Sequence, residues 1–358
     1  MEDSQTFSMG QKGDSQRKAY TYLIRLLGLK KIRYDAFDSF VLRFHHRFGA
    51  TYFFICFLIV WFNIYYKEEI FCIGPEIEVK KYLTNICLSY SSYEMPDGKK
   101  KVVFFYRWAH YSCLIVAGAY LLLRLLIKRF GNPRLQNMFS NIRKNSPRLD
   151  ESREDDQIRT FMEYFKENIE THGDFYQKYL LNHIYCFGIS LLNFWFLNFV
   201  LQGEFTRLIL EVFPFHRDSV NFRDPLSVIF PPFVNCTIGH GSKMLNKRED
   251  EIHCHLTLME MLEKVFVFAW IFMVSALIIG GINVIFLLCL PFHKNFLLKT
   301  KESSPLFKKL SRVLARNLSF GDTFLLFMVK SHLTANEFCK ILIEILKYLQ
   351  YDPMQKRS

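Results

Sequence analysis

The chain of 358 residues is 50% hydrophobic and 17% aromatic, and it carries a formal net charge of +12. A composition this apolar excludes an intrinsically disordered chain. The positive charge alone would suit nucleic-acid binding, but no zinc-finger, RNA-binding or helix-turn-helix signature accompanies it, so we expect no nucleic-acid partner. Apolar residues are gathered into long blocks between charged stretches, which is typical of membrane spans joined by aqueous loops.

Four blocks are long and apolar enough to cross a bilayer core of about 30 Å. The predicted spans cover residues 48–66, 105–127, 179–200 and 265–290. The connecting segments are then 1–47, 67–104, 128–178, 201–264 and 291–358. Residues 1–47 show no apolar run with the form of a cleavable signal peptide, so the first span is expected to act as its own insertion signal.

Lysine and arginine are distributed unevenly between the connecting segments. Residues 1–49, 128–180 and 293–358 contain 9, 10 and 12 of them, whereas residues 67–104 and 203–264 contain 6 and 7. Basic flanks stay on the cytoplasmic side of a membrane, and four spans place the three basic segments on the same side. We therefore expect both termini and the central segment to be cytoplasmic and the other two loops to lie outside.

The cytoplasmic segments show helical periodicity. Apolar residues recur at helical spacing in the central segment from about Arg153, and again in Leu306–Leu318 and Thr334–Leu349 of the tail. The predicted fold class is all-α: a four-transmembrane-helix membrane protein with a helical cytoplasmic domain and two outer loops.

The third span is the most polar of the four, because it contains Asn182, His183, Asn193 and Asn198. Polar groups inside a membrane suggest that the span lines a water-filled path. Hydrogen bonds between helices are the alternative, and the sequence leaves both open.

The nine cysteines divide according to this topology. Five of them fall in spans or in the tail, where thiols stay reduced: Cys56, Cys113, Cys186, Cys289 and Cys339. Cys72 and Cys87 lie in the first outer loop, and Cys236 and Cys254 lie in the second. An even number of cysteines on the oxidising side predicts a disulfide framework, with three possible connectivities.

The second loop admits two other interpretations. His253, Cys254 and His255, with His240 and Cys236 upstream, could form a zinc site, but the spacing fits no ordinary finger and oxidised sulfur is not a thiolate ligand, so no metal is expected. Asn235 begins a glycosylation pattern, in which a bridged Cys236 disfavours occupancy. The sequence has no nucleophile elbow, phosphate-binding loop or dinucleotide motif, so neither an enzyme nor a cofactor is expected.

Several strings resemble the innexin family. Phe105–Ala109, which includes Tyr106 and Trp108, is similar to the family's Tyr-Tyr-x-Trp-Val signature, and Asn193–Phe205 is similar to the end of its third span. Further likenesses are Phe230-Pro231 before Cys236, Cys254-His255-Leu256, Glu263–Trp270, and Gly321-Asp322 ahead of Phe324 and Phe338. Connexins have three cysteines in each outer loop, whereas innexins have two, as here. One departure is Leu123, which stands where the family usually has a proline, so no kink is expected there.

The resemblance implies a gap-junction channel subunit at the plasma membrane of contacting cells. It implies a homo-oligomeric or hetero-oligomeric ring, octameric, that docks with a ring of the apposed cell and contacts membrane lipids. It also implies the bridges Cys72–Cys254 and Cys87–Cys236, and a pore-mouth helix over Ala19–Lys31 that contains Arg25, Lys30 and Lys31. An undocked hemichannel and a non-conducting scaffold or adhesion protein with four spans are the alternatives.

Overall fold

The computed structural model describes residues 39–66, 70–73, 87, 91–94, 100–103, 105–130, 151–213, 224–238, 250–298, 305–331, 333 and 335–355. The helices are α1 Phe40–Tyr66, α2 Ala109–Phe130, α3 Glu151–Glu167, α4 Gly173–Val200, α5 Leu208–Val212, α6 Pro225–Ile229, α7 Met259–Cys289, α8 Lys294–Leu297, α9 Pro305–Asn317, α10 Phe320–Lys330 and α11 Ala335–Gln355. The strands are β1 Phe71–Ile73, β2 Ser92–Glu94, β3 Lys100–Val102, β4 Phe233–Ile238 and β5 Asp250–His255.

Four of these helices, α1, α2, α4 and α7, are long and apolar enough to cross a membrane. Three of them begin before the predicted spans. Helix α1 begins at Phe40 rather than at residue 48, and it contains a π-helical turn over Phe44–Gly49. Residues 43–47, which were predicted to lie in the connecting segment 1–47, belong to helix α1 in the structure. His45 and His46 are buried there, and the His45 Nε2 donates to the Ala276 carbonyl at 3.1 Å. This hydrogen bond lowers the free-energy cost of burying the polar ring of His45.

The chain forms two compact units, whose boundaries fall within the long helices. The sheet unit comprises Phe44–Leu122 and Gly188–Ile278, and the helical unit comprises Met1–Arg43, Leu123–Phe187 and Ile279–Ser358. Each unit has its own buried apolar residues, so each is described separately below.

The sheet unit contains a five-stranded antiparallel sheet in the order β1-β5-β4-β2-β3. Strands β1, β2 and β3 come from the first loop, whereas β4 and β5 come from the second. The sheet interleaves the two loops, because β5 and β4 lie between β1 and β2. This sheet adds to the mostly helical fold that the sequence predicts.

The helical unit buries the apolar faces of α3, α9, α10 and α11. Phe161 and Phe165 of α3 pack in one cluster with Leu325 of α10 and Leu342 of α11, and all four side chains are fully buried. The periodicity predicted α3, α9 and α11, whereas α10 was not predicted. Residues 321–326 of α10 are all buried. This part of the helix has no face exposed to solvent, so its sequence does not show the alternation of apolar and polar faces that predicts an amphipathic helix.

Candidate functional site

The sheet brings together cysteines that lie far apart in the sequence. Its register places Cys72 of β1 directly opposite Cys254 of β5, with the two Cα atoms 4.1 Å apart. Opposed residues in an antiparallel pair approach to about 4.5 Å where they do not share backbone hydrogen bonds. The side chains can therefore meet, and the structure has a disulfide here that joins the first loop to the second.

A second disulfide joins Cys87 to Cys236, whose Cα atoms lie 5.3 Å apart. Cys236 is two residues along β4 from Val234, which pairs with Cys254, so Cys236 and Cys254 share a face of the sheet. The sulfur atoms of Cys72, Cys87 and Cys254 lie within 4.8 Å of one another, and all four cysteines are buried. Both bridges thus lie side by side in the core and have the pairing that the resemblance implied.

The histidines of the zinc interpretation have other contacts. The His253 Nδ1 lies 2.9 Å from the Asn235 Oδ1, and the His255 ring packs at 5.1 Å from the ring of Phe233. His240 lies outside the described residues. Because Cys236 and Cys254 are both in disulfides, neither provides a thiolate for a metal.

Hydrogen bonds and aromatic contacts hold the sheet to the rest of its unit. The Lys101 Nζ donates to the Glu204 Oε1 at 2.9 Å, and the Tyr93 hydroxyl donates to the Val228 carbonyl. Burial, followed by the nearby charge of Glu204, raises the pKa of Tyr93 to about 12. The ring of Phe230 packs edge-on against Phe105, with 5.8 Å between the ring centres. Strand β2, helix α6 with the adjoining Phe230, and the turn before α2 are therefore fixed to one another.

Of the signature residues and the pore-mouth residues that the sequence predicts, only those of the signature lie in the described part of the chain. Trp108 lies in a 3₁₀ turn, Phe105–Trp108, immediately before α2, and half of its surface is exposed. Tyr106 lies in the same turn, but its side chain is outside the described part of the chain. Arg25, Lys30 and Lys31 of the expected pore-mouth helix also lie outside the described residues.

His183 in the third predicted span has the contacts of the interhelical alternative. The Asn283 Nδ2 of α7 donates to the His183 Nδ1 at 2.8 Å, so the His183 Nε2 carries the proton that faces the Ser39 hydroxyl at 3.4 Å. His183 is buried. Asn198 accepts bonds from the amide and hydroxyl of Thr206, at 3.0 and 2.7 Å, so it fixes the turn after α4.

The helical unit contains a polar cluster that the sequence did not predict, centred on the carboxylate of Asp322. This carboxylate is fully buried, and it accepts hydrogen bonds from the His172 Nδ1 at 2.6 Å, the Ser319 hydroxyl at 2.7 Å and the Glu170 amide at 3.1 Å. Burial by itself would raise the pKa of the Asp322 carboxyl, but hydrogen bonds from His172, Ser319 and Glu170 together hold this pKa below its usual value. We call Glu170, His172, Ser319 and Asp322 the carboxylate clasp.

The backbone around the clasp is closely packed. A Cβ atom on Gly321 would lie 2.4 Å from the Gly173 amide nitrogen, which is shorter than any allowed contact. Glu170 has a positive φ of 74°, which directs its amide toward Asp322. The His172 ring stacks on Phe165 with 5.7 Å between ring centres, and within the described part of the chain its Nε2 atom is buried without a hydrogen-bond partner. The clasp joins the turn before α4 to the start of α10.

Comparison with known proteins gives one consistent result. The sequence model of the family described as Innexin matches residues 38–349. Innexin inx2 of Drosophila melanogaster is 22% identical over 355 residues, which cover 91% of this chain and 95% of that relative. Innexin inx2 of Schistocerca americana is 22% identical over 90% of this chain and 96% of its own length. Innexin inx3 of Drosophila melanogaster is 21% identical over 89% of this chain and 87% of its own.

Proposed function

Because the chain belongs to the innexin family, we propose that it is a subunit of a gap-junction channel through which ions and small metabolites pass passively between cells. The subunits form a ring, octameric and built from this chain alone or with other innexins, around a wide aqueous pore. Selectivity then depends on the pore width and the charge of its wall rather than on a chemical step. In this proposal the segment Ala19–Lys31 folds into the pore mouth, with Arg25, Lys30 and Lys31 facing either the lumen or the lipid headgroups.

The proposed topology places both termini and the central segment in the cytoplasm of a plasma-membrane protein. It is supported by the basic segments 1–49, 128–180 and 293–358. It also agrees with the two disulfides, because bridges persist on the oxidising side of a membrane and the loops that form the sheet would lie there. Tags at residues 1, 150 and 358 should accordingly be reached by antibody only in permeabilised cells, and labelling of intact cells would contradict this topology.

The proposal that two rings dock is supported by one observation above all, which is that disulfides join the two loops within one sheet. Docking of two rings through flexible loops would lose interaction energy to the ordering of those loops. Here both loops share one sheet, and each bridge joins one loop to the other. A surface fixed in this way before contact is suited to binding the corresponding surface of an apposed ring.

The experiment is a comparison of two transport measurements in cells that lack other channels of this type. Conductance between paired expressing cells, with no dye uptake by single cells, is expected for a gap-junction subunit. Dye uptake by single cells without coupling would instead identify a hemichannel. If surface expression is normal and neither signal appears, the channel proposal is wrong and a scaffold or adhesion role replaces it.

A further inference from the structure

The sheet unit contains an open cavity of about 560 Å³ that the channel proposal does not use. It lies between the turn that precedes α2 and the end of α4, and its apolar lining is formed by Phe105, Trp108, Trp195, Phe199 and Val200. Cavities of roughly 300–1,000 Å³ with mostly apolar walls are the usual size for one small organic ligand. The volume and the lining therefore suit an apolar or amphiphilic molecule.

The cavity is at the end of two of the helices that are long and apolar enough to cross a membrane, which is where the hydrocarbon core would meet the headgroups. Helix α2 begins at Ala109, directly after Trp108, and α4 ends at Val200. The side chains of Trp195 and Phe199 are 67% and 73% exposed, which is costly in water but suits lipid. Tryptophan is enriched at this depth because its ring is apolar and its N–H is polar. The molecule that reaches this cavity most readily is thus a lipid.

The polar part of the lining is formed by the turn that ends α4. The Gly203 amide donates to the Asn198 carbonyl at 2.8 Å and the Gln202 amide donates to the Phe199 carbonyl at 3.0 Å, which is the hydrogen-bond pattern of a Schellman cap. The left-handed position of this cap is occupied by Gln202, with a φ of 55°, although glycine is the residue that usually stands there. The chain therefore keeps an amide side chain beside the cavity at a cost in backbone strain.

The polar lining offers hydrogen-bond donors. The Asn198 Oδ1 accepts both bonds from Thr206, and among the described residues none accepts a bond from its Nδ2. Gln202 adds a second amide group. The exposed Arg207 lies in the turn that follows. Donors and positive charge are complementary to ester and phosphate oxygens, which only accept hydrogen bonds.

We propose that this cavity binds one phospholipid of the outer leaflet, with an acyl chain along the aromatic wall and its ester and phosphate oxygens at Asn198 and Gln202. A neighbouring subunit is a less suitable occupant, because a membrane span satisfies its own backbone carbonyls and would leave these amide donors unmatched. The proposal depends on membrane insertion and, for the choice of leaflet, on the proposed topology, but not on docking or conduction.

The test uses the purified full-length chain in detergent, with phosphatidylcholine that has a photoreactive diazirine in one acyl chain. After illumination, peptide mass spectrometry should find adducts concentrated in residues 105–108 and 195–203. Unlabelled phosphatidylcholine should compete for these adducts, whereas inorganic phosphate should not. An even distribution of adducts over the exposed apolar residues of all four spans would overturn the proposal.

Two variants locate the site more sharply. Val200→Trp fills the cavity and should reduce the adducts to background, whereas the control Leu192→Trp, at an exposed position of the same helix that does not line the cavity, should keep them. Gln202→Gly removes one donor and relieves the strain at a φ of 55°, so it cannot act by misfolding. Loss of one hydrogen bond should weaken labelling about fivefold at subsaturating lipid. Non-reducing peptide maps that recover both disulfides establish that each variant is folded.

Each result of the variants has a defined meaning. Unchanged labelling of Val200→Trp would show that lipid does not enter the cavity and would overturn the site. Unchanged labelling of Gln202→Gly would overturn the assignment of this end to the phospholipid headgroup. Because no step requires contact between cells, failure of this test is distinguishable from failure of the channel proposal.

Discussion

The sheet unit and the helical unit each join segments that are far apart in the sequence, but they do so with different chemistry. In the sheet unit, disulfides join residues that are 182 and 149 positions apart in the sequence. In the helical unit, the bond between His172 and Asp322 joins residues 150 positions apart. Both units therefore contain a link between distant segments, which is covalent in one and a buried hydrogen-bonded carboxylate in the other.

The difference has a physical reason in the proposed topology. A disulfide persists only where the surroundings are oxidising, so it is available to the outer loops and not to a cytoplasmic domain. A buried carboxylate works in either place, but it is stable only if donors surround it. The sheet unit should thus depend on redox conditions, whereas the helical unit should depend on pH and on the exact partners of one side chain.

The largest effect is expected from loss of a disulfide. Cys87→Ser should abolish conductance between paired cells, whereas Cys339→Ser, which alters a half-buried free thiol of the helical unit, should leave it near the wild-type value. With Cys72–Cys254 intact, the lost bridge closes a loop made of residues 72–87 and 236–254, which corresponds to about 4 kcal/mol in the chain-entropy model. Paired-cell recording is the measurement, with surface abundance determined alongside. Normal coupling by surface-expressed Cys87→Ser would remove the chemical support for docking.

The second effect should be confined to the helical unit. Asp322→Asn replaces an acceptor with a group that has donors of its own, so the Glu170 amide, Ser319 or His172 loses its partner in a buried site. Loss of one member of such a cluster costs about 3 kcal/mol. We expect a clear fall in the apparent melting temperature of the purified protein and faster amide exchange at residues 168–174.

Glu344→Gln is the matched control for Asp322→Asn. Glu344 pairs with Lys166 at 3.5 Å in the same unit, but half of its side chain is exposed. An exposed pair contributes about 0.5 kcal/mol or less, so this variant should melt like the wild type. Equal melting temperatures for the two variants would show that the clasp does not stabilise the unit.

The third effect tests the close packing of the clasp. Gly321→Ala would place a methyl group 2.4 Å from the backbone of Gly173, and the helices would have to separate, at a cost of about 1–3 kcal/mol. Gly118→Ala is the control, because among the described residues no atom other than the adjoining backbone of its own helix lies within 4 Å of the added methyl group. Gly321→Ala should lower the melting temperature and Gly118→Ala should not. A well-tolerated alanine at residue 321 would contradict the packing described here.

The sequence predicted those features that depend on the local composition of the chain, namely the membrane spans and the cysteines that form disulfides. The four spans were predicted from long apolar blocks. The disulfide cysteines were predicted from their number and from the predicted side of the membrane, whereas their pairing came from the family resemblance. The sheet was missed because β1, β2 and β3 have three residues each, too few for an alternating pattern. The clasp was missed because the partners of Asp322 are supplied by the tertiary fold. Gly321-Asp322 was noted only as a likeness, and the contacts of the pair give it a structural reason.

The smallest effect is expected from pH, and it again separates the two units. The folded-state pKa of Asp322 is lowered, so its contribution is complete above the unfolded-state pKa of about 3.9 and is lost as the pH falls through the folded value. From pH 7 to 5 this contribution should stay constant, and below about pH 4 it should decline.

The contribution of the Asp322 carboxylate to stability is measured by melting the wild type and Asp322→Asn at a series of pH values. The gap between their melting temperatures should be constant near neutral pH and should narrow below about pH 4, because protonation makes the wild type resemble the variant. The disulfides of the sheet unit do not titrate in this range, so peptide maps should show both bridges intact throughout. A gap that stays the same down to pH 3 would mean that the Asp322 carboxylate is not stabilised by its charge in the folded state.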